Sequence, residues 1–351
     1  MVQLRARDHG VTVGELPIGP RNKITDVPGV TVGHCTVDTE EHKTGVTVVL
    51  PGPENPFVHK LPAAAFVLNG FGKTAGLVQV EELGTLETPI ALTNTLNVGL
   101  VHDALVEYLI GRCEAEGIDL TSVNPVVCEC NDGGLNRIQV RAVGREQVFA
   151  ALAAASPDFD EGDVGAGKGM VCHGLKGGIG SASRRLTLNG RDYTLGALVL
   201  ANHGRLADLT IDGRRVGLEI TPEKAARESD VGSCIVILAT DLPLDSRQLG
   251  RVARRASVGL ARLGSFIGHG SGEVFLAFST ANAFDPREKA ATRTVTAFHE
   301  NKMDLPFRAA AECTEEAVLN CLYTAHTVTG WDGKPVYSFL SFEQEKNERK
   351  L

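Results

Sequence analysis

The sequence predicts one domain of stacked helix and sheet layers, α/β or α+β, and three observations predict it. Strand-like apolar runs and helix-like periodic runs mix along the whole chain. No Pro/Gly/Ser-rich linker and no internal repeat divides it. At 351 residues, 43% hydrophobic and 22% charged, the chain can bury a sizeable core and is too apolar for disorder. Stacked layers are how such mixed elements bury their apolar faces.

Residues 1–60 are turn-rich, with a short strand wrapped in turns over 22–33. Ala63–Asn69 reads as a buried strand. The spacing of Leu105, Leu109 and Cys113 predicts an amphipathic helix over His102–Gly117. Pro125–Cys130 is a further strand, and Gly162–Gly180 a long glycine-rich loop. Leu195–Asn202 is an apolar strand, and Ser233–Thr240 an apolar strand opened by a serine. Ser246–Leu263 is a helix with a buried stripe of Leu249, Val252, Ala256, Leu260 and Leu263. Its arginines fall mostly off that stripe, as a solvated face. Glu273–Thr280 is a strand and Thr314–Thr327 a helix. The charged end, Glu343–Leu351, is expected to fray.

Composition excludes several classes. With 43 acidic against 35 basic residues, the net charge of −8 argues against a general nucleic-acid binder. No run of about 18 apolar residues predicts a membrane helix. The N-terminus carries no apolar stretch of signal length, and the eight cysteines are scattered. Both features predict a cytoplasmic protein with reduced thiols. The 39 glycines, above the usual ~7%, predict tight turns and close backbone approaches.

Some motifs fail on inspection. Gly162 to Gly169 has phosphate-loop spacing, but Gly169 stands where a Mg²⁺-binding Ser or Thr is required. His299-Glu300 begins like a zinc-protease helix, but Met303 replaces the second His. Cys128 and Cys130 share a strand face without a partner pair and read as buried small hydrophobes. No metal or cofactor is therefore expected.

Other motifs survive. Gly232-Ser233 precedes the apolar strand. Taken alone it is a strand-opening Ser after a turn Gly. The other reading is a latent N-terminal nucleophile. There the Ser233 hydroxyl attacks the preceding carbonyl, Gly232 leaves the approach open, and cleavage frees an α-amine. A reference pKa of about 7.7–8.0 suits that amine as a general base. Ser271 and Glu273 are two apart at a strand start, so both point to one face. They can relay a proton or orient an amine, or form a polar strand end in water. His269 alternates with glycines and reads as peripheral. A strand–helix–strand crossover would make the two strands parallel and set Ser233, Ser271 and Glu273 at one end. Asn202 ends its strand, where its amide can donate to an oxyanion or turn the chain.

With the opening blocks, these residues resemble the L-aminopeptidase/D-amidase/D-esterase (β-peptidyl aminopeptidase) family. The resemblance runs from Ala6-Arg-Asp-His-Gly through Gly19–His34, Leu92–Gly99, Asn131–Asn136 and Gly174–Gly180 to the Ser233 and Ser271 segments. It implies an α+β fold, a four-layer αββα sandwich like N-terminal-nucleophile hydrolases but with distinct connectivity. It implies one domain cut between Gly232 and Ser233 into chains 1–232 and 233–351. Ser233 would be the nucleophile, Ser271 and Glu273 the pair that positions the new amine, and Asn202 the oxyanion donor. The implied substrates are short peptides, amides or esters with a free N-terminal residue. A homo-oligomer is also implied, with no metal. Relatives often carry Tyr where Gly134 stands and an acid where Lys73 stands, which implies altered substrate preference. Glu129 is a candidate for binding a substrate ammonium, or an ordinary strand-edge acid. An acyltransferase, an endo-type oligoamide hydrolase and a non-catalytic binding protein on the same fold are the alternatives.

Overall fold

The apolar run after Gly232 lies inside a six-stranded sheet, and the rest of the architecture is organised around it. The computed structural model describes residues 3–220, 225–226 and 230–342. The charged end, Glu343–Leu351, lies outside the described residues.

In chain order, β1 (Thr31–Asp38), β2 (Lys43–Leu50) and β3 (Leu61–Gly70) lead into α1 (Leu77–Leu83). Then follow β4 (Thr85–Leu86), β5 (Ile90–Asn94), α2 (Val98–Ala115), β6 (Val126–Cys130) and α3 (Arg145–Ala153). A small hairpin, β7 (Val171–Cys172) and β8 (Leu175–Lys176), precedes β9 (Gly178–Leu188) and β10 (Arg191–Asn202). The last third holds β11 (Gly232–Thr240), α4 (Ser246–Arg254), α5 (Ala256–Arg262), β12 (Ser271–Ser279) and α6 (Asp304–Thr324). A closing hairpin pairs Val328–Thr329 with Pro335–Val336.

The larger sheet has the order β4-β3-β12-β11-β10-β9 and the smaller β1-β2-β5-β6. Within them β11 with β12 and β5 with β6 are parallel; the other neighbours are antiparallel. Strand alternation then sorts the apolar side chains into three cores. Leu198, Leu200, Ile235, Ile237, Val274 and Leu276 of the larger sheet meet Val32, Val49, Ile90, Leu92 and Val126 of the smaller one. Val199, Val236, Phe275 and Ala277, on the other face of the larger sheet, meet Leu249, Val252, Leu260 and Cys313 from α4, α5 and α6. Val46, Val48 and Ala91 meet Val101 and Leu105 of α2 and Val148 of α3. The layers are therefore helix, sheet, sheet, helix. Each fully buried aliphatic side chain contributes ~1.5–3 kcal/mol.

Several expected elements take a different form. The 246–263 helix breaks at Arg255 into α4 and α5, while its buried stripe stays continuous. Helix α6 starts ten residues earlier than its expected start at Thr314 and ends at Thr324. Pro306 lies in its first turn, where the missing N–H leaves no bond unmade. Nearly every side of α6 is buried, so no 3.6-residue stripe marks it. β3 is buried only in its first half. The glycine-rich stretch 162–180 is not an exposed loop: it is buried almost throughout and contains the β7–β8 hairpin. β2 and β5, unread in the sequence, are strands covered on both faces. Seven of the eight cysteines are buried.

Candidate active site

The starts of β11 and β12 lie side by side. The two strands run parallel, with Gly232 opposite Ser271, Ser233 opposite Gly272 and Cys234 opposite Glu273. They are joined through α4 and α5, the crossover that the spacing predicts. On the other side of β11, the end of β10 places Asn202 opposite Ser233. Ser233 and Asn202 are both buried and share the face of Leu200 and Ile235, which looks towards the smaller sheet.

Ser271 and Glu273 do share a face with each other, and the Ser271 hydroxyl donates to the Glu273 carboxylate. That face is the opposite one, with Cys234 and Phe275, on the helix side. The structure thus brings all four residues to one end of adjacent strands. It sets the nucleophile candidate and Asn202 on one face, and the Ser–Glu pair on the other. Between them lies the Gly232–Ser233 peptide, with Gly232 at φ 140°, a conformation that L side chains rarely adopt.

From Ser233 the site continues as a ring of contacts. The Asn202 amide donates from Nδ2 to the Asn131 carbonyl at 3.0 Å, and its Oδ1 accepts the Val171 N–H at 2.8 Å. Asn131 follows β6, which carries Glu129. Glu129 is buried and accepts the Lys73 N–H at 2.9 Å and the Thr95 hydroxyl. The loop holding Lys73 returns to Ser233: a Cβ at Gly272 would lie 2.7 Å from the Phe71 carbonyl oxygen and 3.1 Å from Ser233 Oγ. Only a glycine fits there. Gly134 sits on the exposed turn after Asn131, with open space where a Cβ would be. Lys73 is exposed, its ammonium 4.7 Å from the centre of the Phe71 ring.

Three titratable groups at this site escaped the sequence reading of roles. Burial pushes the Asp132 carboxyl up to about 7; hydrogen bonds from Thr44 and Asn136 oppose the rise, and the charge of Glu129 adds to it. Asp132 lies within the Asn131–Asn136 block, so its motif was visible though its burial was not. Asp230 accepts the Gly204 N–H at 2.8 Å and the Gly268 N–H at 3.2 Å. It ties the loop after Asn202 to the loop before Ser271. Lys176 is fully buried and donates to the carbonyls of Gly167, Met170 and Gly177 at 2.7–3.0 Å. It holds the hairpin whose Val171 N–H meets Asn202. Burial also pushes Glu273 up to about 7, with Asp230 adding to the rise and the Ser271 hydroxyl opposing it.

The rejected motifs find other work. Lys168 pairs with Asp38 at 2.7 Å and Asp163 at 3.1 Å, so it has no role as a phosphate lysine. Glu300 pairs with Arg247 and Arg251. Cys128 and Cys130 both face the core between the sheets, and burial pushes the Cys128 thiol up to about 12. His269 is exposed on its loop.

Comparison with known proteins agrees with this geometry. The family model for peptidase family S58 matches residues 22–336. The β-peptidyl aminopeptidase BapA of Sphingosinicella xenopeptidilytica is 38% identical, over 95% of this chain and 88% of its own. A crystal structure of a Pyrococcus horikoshii OT3 protein superposes with a TM-score of 0.92 at 46% identity, covering 99% of both chains. The Ochrobactrum anthropi L-aminopeptidase D-Ala-esterase/amidase, described as a variant of the N-terminal-nucleophile hydrolase fold, superposes with a TM-score of 0.90 at 36% identity. It covers 99% of this chain and 98% of its own. The four-layer sandwich is thus of the N-terminal-nucleophile hydrolase type, and the chain belongs to peptidase family S58, as a hydrolase of the serine aminopeptidase and amidase kind.

Proposed function

We propose that this chain matures by cutting itself between Gly232 and Ser233, and that the freed Ser233 releases the N-terminal residue of short peptides, amides or esters. One observation carries the reading. Ser233 opens a central strand after a glycine at φ 140°, opposite Asn202, with the Ser271–Glu273 pair on the neighbouring strand. A glycine without a Cβ before a buried serine leaves the hydroxyl an open approach to the preceding carbonyl.

In the first stage the Ser233 hydroxyl adds to the Gly232 carbonyl, the C–N bond breaks and an ester forms. Water then cleaves the ester, leaving the Gly232 carboxylate and a free Ser233 amine. In turnover that amine takes the proton of its own hydroxyl as Oγ attacks the substrate carbonyl. Asn202 donates to the oxyanion, a contribution of ~10²–10³ in rate for one such donor. The proton passes to the leaving amine, and water resolves the acyl-enzyme. Ser271 and Glu273 hold the Ser233 amine, and Glu129 receives the substrate ammonium. The relatives' names add β-peptides and D-alanyl esters and amides as substrates to test.

The finer assignments rest on the same reading. The protein is cytoplasmic, supported by cysteines placed as buried core residues. It is a homo-oligomer, supported by exposed Phe71, Val78, Leu83 and Phe266. A denaturing gel with N-terminal sequencing tests the mechanism. Two fragments, one beginning at Ser233, are expected from active protein, and Ser233→Ala stays whole and inactive. A single intact band from protein that turns over substrate would overturn it.

A further inference from the structure

Behind Asn202 lies a group of side chains that the proposed reaction does not use. Cys172 ends β7, His173 begins the turn after it, and His203 follows Asn202 at the end of β10. All three are fully buried. One ligand atom from each lies within 4.8 Å of the others. The two imidazoles meet edge to face, with ring centres 5.4 Å apart, and the His173 N–H donates to the His203 carbonyl at 2.6 Å. The two loops are thus locked together at the backbone.

We propose that Cys172, His173 and His203 form a binding site for a zinc-type divalent ion. Two features of His173 point that way. Its Nδ1 lies 3.2 Å from the Arg205 carbonyl, a contact that requires Nδ1 to carry the proton. The lone pair is then on Nε2, which has no hydrogen-bond partner among the described residues although it is buried. A ring nitrogen fixed by a backbone carbonyl, with the other turned to a ligand, is how metal-binding histidines are oriented. The left-handed φ of 49° at His173, with 73° at Gly174, is that of the two-residue turn joining β7 to β8.

One thiolate and two imidazoles form a donor set for Zn²⁺ or Co²⁺ rather than for Mg²⁺ or Ca²⁺. Three protein ligands leave a fourth position for water. Binding deprotonates Cys172 and releases that proton to solvent. Cys172 follows Val171, whose N–H is held by Asn202, and His203 follows Asn202 itself. The ion would thus clamp the chain on both sides of that amide contact, as a structural site rather than as part of the reaction.

Titration of the full, reduced protein with Co²⁺ tests this without any activity measurement. One ion per chain and a thiolate-to-cobalt charge-transfer band are expected, and Zn²⁺ bleaches the band. Cys172→Ser abolishes the band, and His203→Gln weakens binding at least tenfold. Zn²⁺ raises the unfolding temperature of the parent and leaves that of Cys172→Ser unchanged. If His203→Gln does not fold, the isosteric Cys172→Ser decides. Absence of a band in the folded parent overturns the proposal. So does a band that persists in Cys172→Ser, because the ion would then lie elsewhere.

Discussion

Glu273→Gln in the uncut Ser233→Ala chain isolates the cost of one buried charge. The Glu273 carboxyl is raised from its ordinary 4.5 to about 7, chiefly by burial. The folded chain therefore holds this proton more tightly than the unfolded chain. Its stabilising contribution is complete below 4.5 and is lost as pH rises through about 7. At ~1.4 kcal/mol per pKa unit, the carboxylate costs the folded state about 3 kcal/mol once fully ionised. Glutamine keeps the acceptor for the Ser271 hydroxyl and never ionises. Urea unfolding should then show the variant less than ~1 kcal/mol more stable than its parent at about pH 5, before any fixed packing difference, and about 3 kcal/mol more stable at about pH 8. A gap between the two chains that does not change with pH refutes the reasoning. Protein cut before Ser233, as proposed, would supply a control. There a Ser233 ammonium would stand beside the carboxylate and hold it ionised. Stability should therefore fall less between those pH values than in uncut Ser233→Ala.

Gly272→Ala places a methyl 2.7 Å from the Phe71 carbonyl oxygen and 3.1 Å from Ser233 Oγ. A loss of ~1–3 kcal/mol in urea unfolding is expected, with self-cleavage and turnover both down at least tenfold; unchanged cleavage kinetics would contradict the placement of Phe71. Lys176→Met relieves a buried ammonium whose pKa is pushed down to about 8, but it strips donors from three buried carbonyls. At ~2 kcal/mol for each of the three unmet acceptors, the loss of about 6 kcal/mol exceeds the relief of about 3 kcal/mol, and the urea midpoint should fall. Gly134→Tyr enters open space. The unfolding midpoint should stay put while kcat/KM ratios among anilides of different acyl residue change; a lower midpoint with unchanged ratios would show that the turn serves folding alone.

What was legible follows from how each element is buried. β11 and β10 are central strands, so their residues are apolar on both faces and read as runs. α4 and α5 keep one wet side, so their stripe reads as a period even across the break at Arg255. α6 lacks a wet side and lost its period. The stretch 162–180 read as a loop because its glycines carry no pattern, yet it is buried under the site. Among site residues, the two-residue spacing put Ser271 and Glu273 on one face, and the hydrogen bond between them agrees. It was silent on register. Ser233 pairs with Gly272 rather than with Ser271 or Glu273, an offset of one, and one residue in a strand exchanges the faces. Asp230 was hidden for a similar reason. Its two amide partners, at Gly204 and Gly268, come from loops far apart in the chain.

In the proposed reaction, the one-residue offset lets a single strand hold both halves of the chemistry. A side chain on a strand is confined to one face, but the backbone nitrogen lies in the plane of the sheet and can be approached from either side. A hydroxyl nucleophile with a separate side-chain base must crowd both groups onto the substrate face. When the base is the nucleophile's own α-amine, its supporting groups can come from behind. Here Ser233 Oγ and Asn202 look into the space between the sheets, while Ser271 and Glu273 look towards α4, α5 and α6. A carboxylate on the substrate side would compete for a substrate ammonium. In the proposed reaction, a carboxylate behind the strand would hold only the amine that cleavage creates, and Glu129, which accepts the Lys73 N–H, would be left to receive the substrate's charge. The arrangement works only if the chain is open at Ser233. An uncut peptide nitrogen has no proton-accepting lone pair, so in the intact chain the Ser271–Glu273 pair has no amine to hold.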